Sequence, residues 1–379
     1  MSRDGDPEKP SRDGDREKSS RDGDSGNPRR SGEIRRVEDL LARGLVDPAR
    51  AEAIGRVVDR FALAITDDMA ALIDPDDPDD PIARQFVPDE SELDRRADEV
   101  TDPIGDGVHA AAPGIVHRYP DRVLLKPTHL CRVYCRFCFR REAVGHGEAT
   151  LTEAEIDAAL AYVAARPEIF EVILTGGDPL VLSDRRLSLL LDRLEAIPHV
   201  EVVRIHSRIP IVDPGRVTAE TARTFRRRFA TWMVVHADHP RELTPAAAEA
   251  IGRLVDAGVP VLSQTTLLAG VNDDAEVLEA LFRRLVALRV KPYYLHHLDR
   301  AEGTARFRVP VERGRALVTS LRGRLTGIAQ PTYVLDIPGG QGKGLNGDDP
   351  RSGAGEGEGR ATRRWRVTAP DGGSHDWDG

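Results

Sequence analysis

The chain has 379 residues, 40% of them hydrophobic, with 63 acidic against 54 basic side chains and a formal net charge of -9. That composition allows a large core, and the acidic balance argues against nucleic acid or an anionic membrane surface as a partner. No apolar run approaches the ~20 residues that would cross a bilayer. The start, Met1-Ser-Arg-Asp-Gly-Asp6, has neither secretory-signal nor transit-peptide character, so a reducing, cytoplasmic setting is expected.

In chain order, residues 1–33 repeat Ser-Arg-Asp-Gly-Asp from Ser2, Ser11 and Ser20. They have almost nothing to bury, and a disordered tail is expected. Residues 34–110 read as a helical extension and connector, with helical patterning over 34–60. The run Asp74-Pro-Asp-Asp-Pro-Asp-Asp-Pro81 looks like a calcium loop only superficially, because the central Gly and closing Glu are missing. Its spaced prolines predict an extended connector.

From residue 111 to 345, short β-like runs alternate with amphipathic helices. The runs are 122–126, 171–175, 200–206, 231–236, 259–265, 290–296 and 332–335. A capping box at Thr152 and Glu155 starts one helix, and Thr244 with Pro245 starts another. Residues 276–288 and 311–325 complete the helical set. Such alternation predicts an α/β fold with a parallel sheet, closed or open as a βα barrel, whose chemistry sits at the C-terminal ends of the strands. Residues 346–379 are rich in Gly, Asp and Arg and are expected to be a flexible tail, with Trp365 and Val367 as candidates to pack.

All three cysteines fall in Cys131-Arg-Val-Tyr-Cys135-Arg-Phe-Cys138. An odd, tightly spaced set is not a disulfide framework. Three thiolates on one loop suit a [4Fe–4S] cube with its fourth iron open. Structural zinc wants a fourth Cys or a His at a familiar spacing, which His129 and His146 do not supply. Arg132, Arg136, Arg140 and Arg141 argue against three merely buried small side chains.

The other strand ends carry Thr175-Gly176-Gly177-Asp178, His206-Ser207-Arg208, His236-Ala-Asp238-His239, Gln264-Thr-Thr, His296-His297-Leu-Asp299 and Asp336-Ile-Pro-Gly-Gly-Gln-Gly-Lys343. Glycines at 176 and 177 allow close approach of backbone to a ligand. Taken singly, His206, His239 and His297 read as hydrogen-bonded structural residues. The last segment fails the phosphate-loop pattern, having Ile337 where Gly is required and Gly344 in place of Ser or Thr. Its lysine could be a turn residue or could bind an aldehyde cofactor such as pyridoxal phosphate (PLP).

The cysteine loop in this setting resembles the radical S-adenosylmethionine (SAM) superfamily. Further words narrow the resemblance to the lysine 2,3-aminomutase family: His117-Arg-Tyr-Pro-Asp-Arg122, Arg140-Arg141, Leu174-Thr-Gly-Gly-Asp178, His239-Pro240, Gly270-Val-Asn-Asp273, Pro292-Tyr-Tyr294 and Asp336 to Lys343. It covers residues 40 to 345. The fold it implies is a partial (β/α)6-type barrel with an N-terminal helical extension. The implied activity moves the amino group of L-lysine from C2 to C3, giving β-lysine.

The resemblance also assigns roles. Cys131, Cys135 and Cys138 would bind the cluster, and Thr175, Gly176, Gly177, Asp178, His236 and Gln264 would border SAM. Lys343 would carry PLP, with Arg118 and Arg122 near its phosphate. Arg140 would grip the substrate carboxylate, and Asp299 and Asp336 the distal ammonium. Two facing carboxylates attract a cation and reject an acidic side chain on any scaffold. An electron donor of flavodoxin or ferredoxin type and a homo-oligomeric state are expected. The zinc site of some relatives is not, because residue 274 is Asp and no cysteine follows Cys138. The family's Pro-rich continuation after the lysine is replaced by Gly344-Leu-Asn-Gly. The rival readings are the same migration on arginine, or on lysine destined for elongation factor P, and a cluster protein without aminomutase activity.

Overall fold

A computed structural model describes residues 33–145, 150–345, 364–369 and 373–378; residues 1–32 of the expected tail (1–33) and His146 lie outside the described residues, whereas the Glu33 side chain is buried and pairs with Arg132. The main sheet has ten strands in sequential order. They are Ala110–Ala112 (β1), Ile115–Tyr119 (β2), Arg122–Thr128 (β3), Glu171–Gly176 (β4), Val202–Ser207 (β5), Ala230–His236 (β6), Val261–Thr266 (β7), Val290–His296 (β8), Thr332–Ile337 (β9) and Gly342–Leu345 (β10). β3 to β9 are parallel neighbours, flanked by antiparallel strands at both edges. Among the described residues no pairing joins the first strand to the last, so the barrel stays open.

Local chemistry sets the helix starts. Thr152 accepts from the Glu155 amide while the Glu155 carboxylate accepts from the Thr152 amide at 2.8 Å, starting Glu153–Ala164. Thr244 caps Pro245–Asp256, and Asp274 caps Ala275–Ala287. Asp274 therefore serves the backbone. A helix over Asp184–Glu195, not expected from the sequence, starts on Ser183.

Three expected elements differ in extent. The pattern over 34–60 splits into Val37–Ala42 and Ala51–Arg60, broken at Gly44 (φ +67°) and Pro48. The helix expected to reach residue 325 ends at Leu321, just before Gly323. The aspartate-rich connector ends with Asp80 accepting from the amides of Ile82 and Ala83, which caps Pro81–Phe86, and pairing with Arg241 at 2.7 Å. Within the stretch expected to be flexible, Arg364–Thr368 (β11) and Ser374–Asp378 (β12) pair antiparallel, with Trp365 opposite Trp377.

One continuous core lies between sheet and helices. Leu160, Leu187, Leu191, Ile251, Leu254, Leu278 and Leu281 pack there against Val172, Leu174, Val203, Ile205 and Met233. That shell uses one face of each strand and leaves the other face for the interior.

Candidate active site

Alternation decides which side chains meet. On β4, Val172 and Leu174 join the core while Glu171, Ile173 and Thr175 face inward; on β5, Val203 and Ile205 join it while Arg204 and His206 face inward. The interior is a cavity of about 900 Å³ rather than a filled core. Every site residue expected from the sequence borders it, from the three cysteines to Lys343.

The cysteine loop is held from behind. Glu92, 1% exposed, accepts from Arg136 Nη2 at 2.6 Å and also pairs with Arg141. On the cavity side, Arg208 Nη1 lies 3.3 Å from Cys135 Sγ and 2.9 Å from Asp238 Oδ2, and its Nη2 donates to Glu242 at 2.7 Å. Burial pushes the Cys135 thiol up to about 12, against the pull of Arg208. A thiol so placed ionises when a metal supplies the compensating charge. Three such thiols on one loop, with a guanidinium at one sulfur, fit an iron–sulfur cluster.

Next to this loop runs the Thr175–Asp178 turn. The amides of Gly177 and Asp178 donate to the carbonyls of Thr128 and Leu130, both at 2.8 Å. A Cβ on Gly177 would fall 2.2 Å from the Leu130 carbonyl oxygen. The close approach expected of a ligand is therefore made, at Gly177, by the cysteine loop. Asp178 also differs from expectation. Its Oδ1 accepts from Leu180 N and Ser207 Oγ, its Oδ2 from the amides of Arg208 and Ile209. Burial pushes this carboxyl up despite those bonds. With both oxygens occupied, Asp178 positions β5 rather than offering a free acceptor to SAM.

His236 and Gln264 are register partners on β6 and β7. His236 Nε2 meets His206 Nδ1 at 3.2 Å, so His206 belongs to the cavity wall. His297 and His239 do not: the first bonds the Tyr333 hydroxyl at 2.9 Å, and the second caps the turn at Pro240.

The opposite wall is the β9–β10 hairpin. Its turn contains Gly339, Gly340 and Gly342 at φ +78°, +82° and +96°, and its register places Asp336 directly opposite Lys343. Lys343 Nζ hydrogen-bonds the Asp336 carboxylate, which Arg118 Nη1 also approaches at 3.4 Å and His296 Nδ1 at 3.7 Å. Burial alone would raise the Asp336 carboxyl, but Lys343 and His296 hold it below its ordinary value. Asp299, in contrast, makes no side-chain hydrogen bond or ion pair among the described residues. Burial and the neighbouring Asp336 push it up to about 8. The two carboxylates thus stand in different states in one pocket.

Arg118 is placed differently from expectation, since its Nη groups engage Asp336 and the Ile104 carbonyl. Arg122 stacks 3.8 Å over Tyr119 and, among the described residues, pairs with the neighbouring Asp121 as its acid partner. Buried polar atoms that have no hydrogen-bond partner among the described residues border the cavity at Arg118 Nε, Arg208 Nε and His296 Nε2. Such orphans are the groups a bound polar ligand satisfies, and with Lys343 in reach they fit PLP and SAM.

Residues 125–281 match the radical SAM superfamily. Over 310 residues the chain is 41% identical to the L-lysine 2,3-aminomutase of Acetoanaerobium sticklandii, spanning 82% of this chain and 75% of that one. The enzyme of the same name from Clostridium subterminale is 40% identical over 310 residues, spanning 82% and 74%. The chain belongs to the lysine 2,3-aminomutase family. Membership makes it a radical SAM isomerase that works with a [4Fe–4S] cluster, SAM and PLP. A glutamate 2,3-aminomutase from Clostridioides difficile is 37% identical over 292 residues, spanning 77% and 69%. Within this family the amino acid must therefore be argued from the pocket. No helix among the described residues is long and apolar enough to cross a membrane.

Several wall residues had no assigned role from sequence: Arg204, held by Glu171 at 2.8 Å, the stacked pair Tyr293 and Tyr294, and His296. Parity along the strands could have found Arg204 beside His206, and Tyr294 together with His296; Tyr293 escapes it, because it is the extra residue at a register shift between β7 and β8. Glu92 has no such signal, because it acts from an irregular stretch far away in sequence.

Proposed function

We propose that this chain moves the amino group of L-lysine from C2 to C3 to give β-lysine. The observation that carries the choice of lysine is the pair Asp299 and Asp336, one free and one engaged by Lys343. An ammonium finds a carboxylate in Asp336 and a second one in Asp299 once its binding drives that group to ionise, whereas an acidic side chain would add negative charge beside Asp336 and drive nothing.

When bound, the cluster and SAM supply a 5′-deoxyadenosyl radical, and PLP supplies the conjugated ring that carries the migrating amino group. The chain's own residues bind and orient. Cys131, Cys135 and Cys138 would hold the cluster, and Thr175, Gly176, His236 and Gln264, which line the cavity next to them, would border SAM. Lys343 carries PLP, Arg122 takes its phosphate, and Arg140 takes the substrate carboxylate. The enclosing barrel holds the reacting carbon close to its hydrogen donor and excludes water. Residues 111–345 form this core, with 34–110 as an extension that braces it through Glu92. The cluster needs single electrons, which suits a flavodoxin- or ferredoxin-type donor and a reducing cytoplasm. A native mass above that of one chain is the expected sign of a homo-oligomer.

The deciding test is product analysis after anaerobic incubation with lysine, arginine and glutamate. β-Lysine is the expected product, and glutamate should remain unchanged. Conversion of arginine alone would replace lysine in the assignment, and no conversion despite full cofactor content would leave a cluster protein of another function. The pocket also predicts a pH profile. Asp299 is protonated below about 8 in the empty site and must ionise to pair with an ammonium, so lysine binding tightens as pH rises toward 8 and then levels. Asp299→Asn should flatten that rise in a binding titration and weaken lysine by roughly 10- to 100-fold.

A further inference from the structure

Arg140 borders the cavity, and the group that aims it comes from outside the radical SAM core. Arg140 Nε donates to Asp106 Oδ2 at 2.9 Å, its Nη1 reaches Thr175 Oγ1 at 3.4 Å, and its guanidinium lies 4.4 Å from the Phe139 ring centroid. Asp106 sits behind Arg140 and also holds Lys126 Nζ at 3.3 Å. Burial would raise its carboxyl, yet Arg140 and Lys126 keep it down at about 2. Two cations share this one carboxylate, and of the two it is Arg140 that borders the cavity.

Asp106 is itself fixed. The Asp102 carboxylate accepts from the amides of Asp106 and Gly107 at 2.9 and 2.8 Å. Gly105 (φ +70°) packs so closely on the lysine hairpin that a Cβ there would fall 2.6 Å from Gly340 Cα. His109 Nε2 lies 2.9 Å from the Gly340 carbonyl. One short segment thus touches both the arginine and the turn that carries Lys343.

We propose that Asp106 is a positioning residue that locks the Arg140 guanidinium with its terminal edge toward the substrate carboxylate, at a span from Lys343 set by the Asp102–His109 segment. With Nε occupied, the Nη edge remains for a paired interaction with a carboxylate. The proposal rests on Arg140 being the carboxylate anchor.

The test compares L-lysine with 1,5-diaminopentane, which lacks the carboxylate, by the change in PLP absorbance on adding each to anaerobic holoenzyme. Asp106→Asn should weaken lysine roughly 10- to 100-fold, as loss of a charged hydrogen-bond partner does, and leave diaminopentane unchanged. Asp106→Glu should restore part of the preference. KM for lysine should rise more than kcat falls, with iron content and PLP content unaltered as the check on folding. Equal weakening of both amines, or no change in either, would overturn the proposal. Arg140→Lys separates the causes. If it abolishes the preference and Asp106→Asn does not, only the role of Asp106 fails. If neither variant alters it, Arg140 is not the anchor and both readings fall.

Discussion

Cys135→Ser is expected to yield a protein that lacks the broad iron–sulfur absorbance and no longer cleaves SAM. Cys135 is the middle ligand of the loop and the one whose sulfur receives Arg208. Two remaining thiolates cannot hold a cube that needs three, and a serine hydroxyl in the same buried place ionises less readily than a thiol. Changes in groups that merely contact metal ligands cost 10–100-fold, so loss of a ligand should cost more than about 100-fold in SAM cleavage. Iron analysis, the broad visible absorbance and the yield of 5′-deoxyadenosine after anaerobic reconstitution measure this directly. A variant with full iron content and undiminished SAM cleavage would show that the cluster is held elsewhere.

Lys343→Ala should have the second-largest effect and leave the cluster untouched. The absorption band of bound PLP near the visible edge should vanish while iron–sulfur absorbance persists, and β-lysine formation should fall at least about 100-fold. The variant also strips Asp336 of its nearest cation, leaving Arg118 at 3.4 Å and His296 at 3.7 Å. Lys343→Arg separates the two losses, because guanidinium restores the ion pair but cannot carry the aldehyde. Persistence of the PLP band in both variants would remove Lys343 from its assigned place.

Much of this site could be read from the chain because it lies at strand ends. Period-2 runs and helix caps located the barrel units, and the cysteine spacing and the Asp336–Lys343 segment carry their chemistry in local order. What escaped depends on contacts distant in sequence. Asp106 meets Arg140 across 34 positions, and Glu92 meets Arg136 across 44, from stretches with no periodic pattern. Asp178 and Gly177 border the cavity as expected, but their contacts with the Cys131 loop and the start of the segment after β5 were not legible. An aspartate or glycine after a strand looks the same in sequence whether it serves a ligand or a neighbouring loop. Only the occupied oxygens and the 2.2 Å approach tell them apart.

The hairpin that faces Asp336 and Lys343 across one rung has a consequence for inheritance. Because neighbouring positions on a strand point to opposite sides, one residue gained or lost in the Pro338–Gln341 turn would turn the lysine out of the cavity while leaving its acid partner inside. The turn is fixed in length, and its glycines at φ +78° and +82° constrain its composition as well. The pair travels as a cassette, and a graft of this chemistry onto another open barrel should move the whole hairpin rather than its two reactive ends.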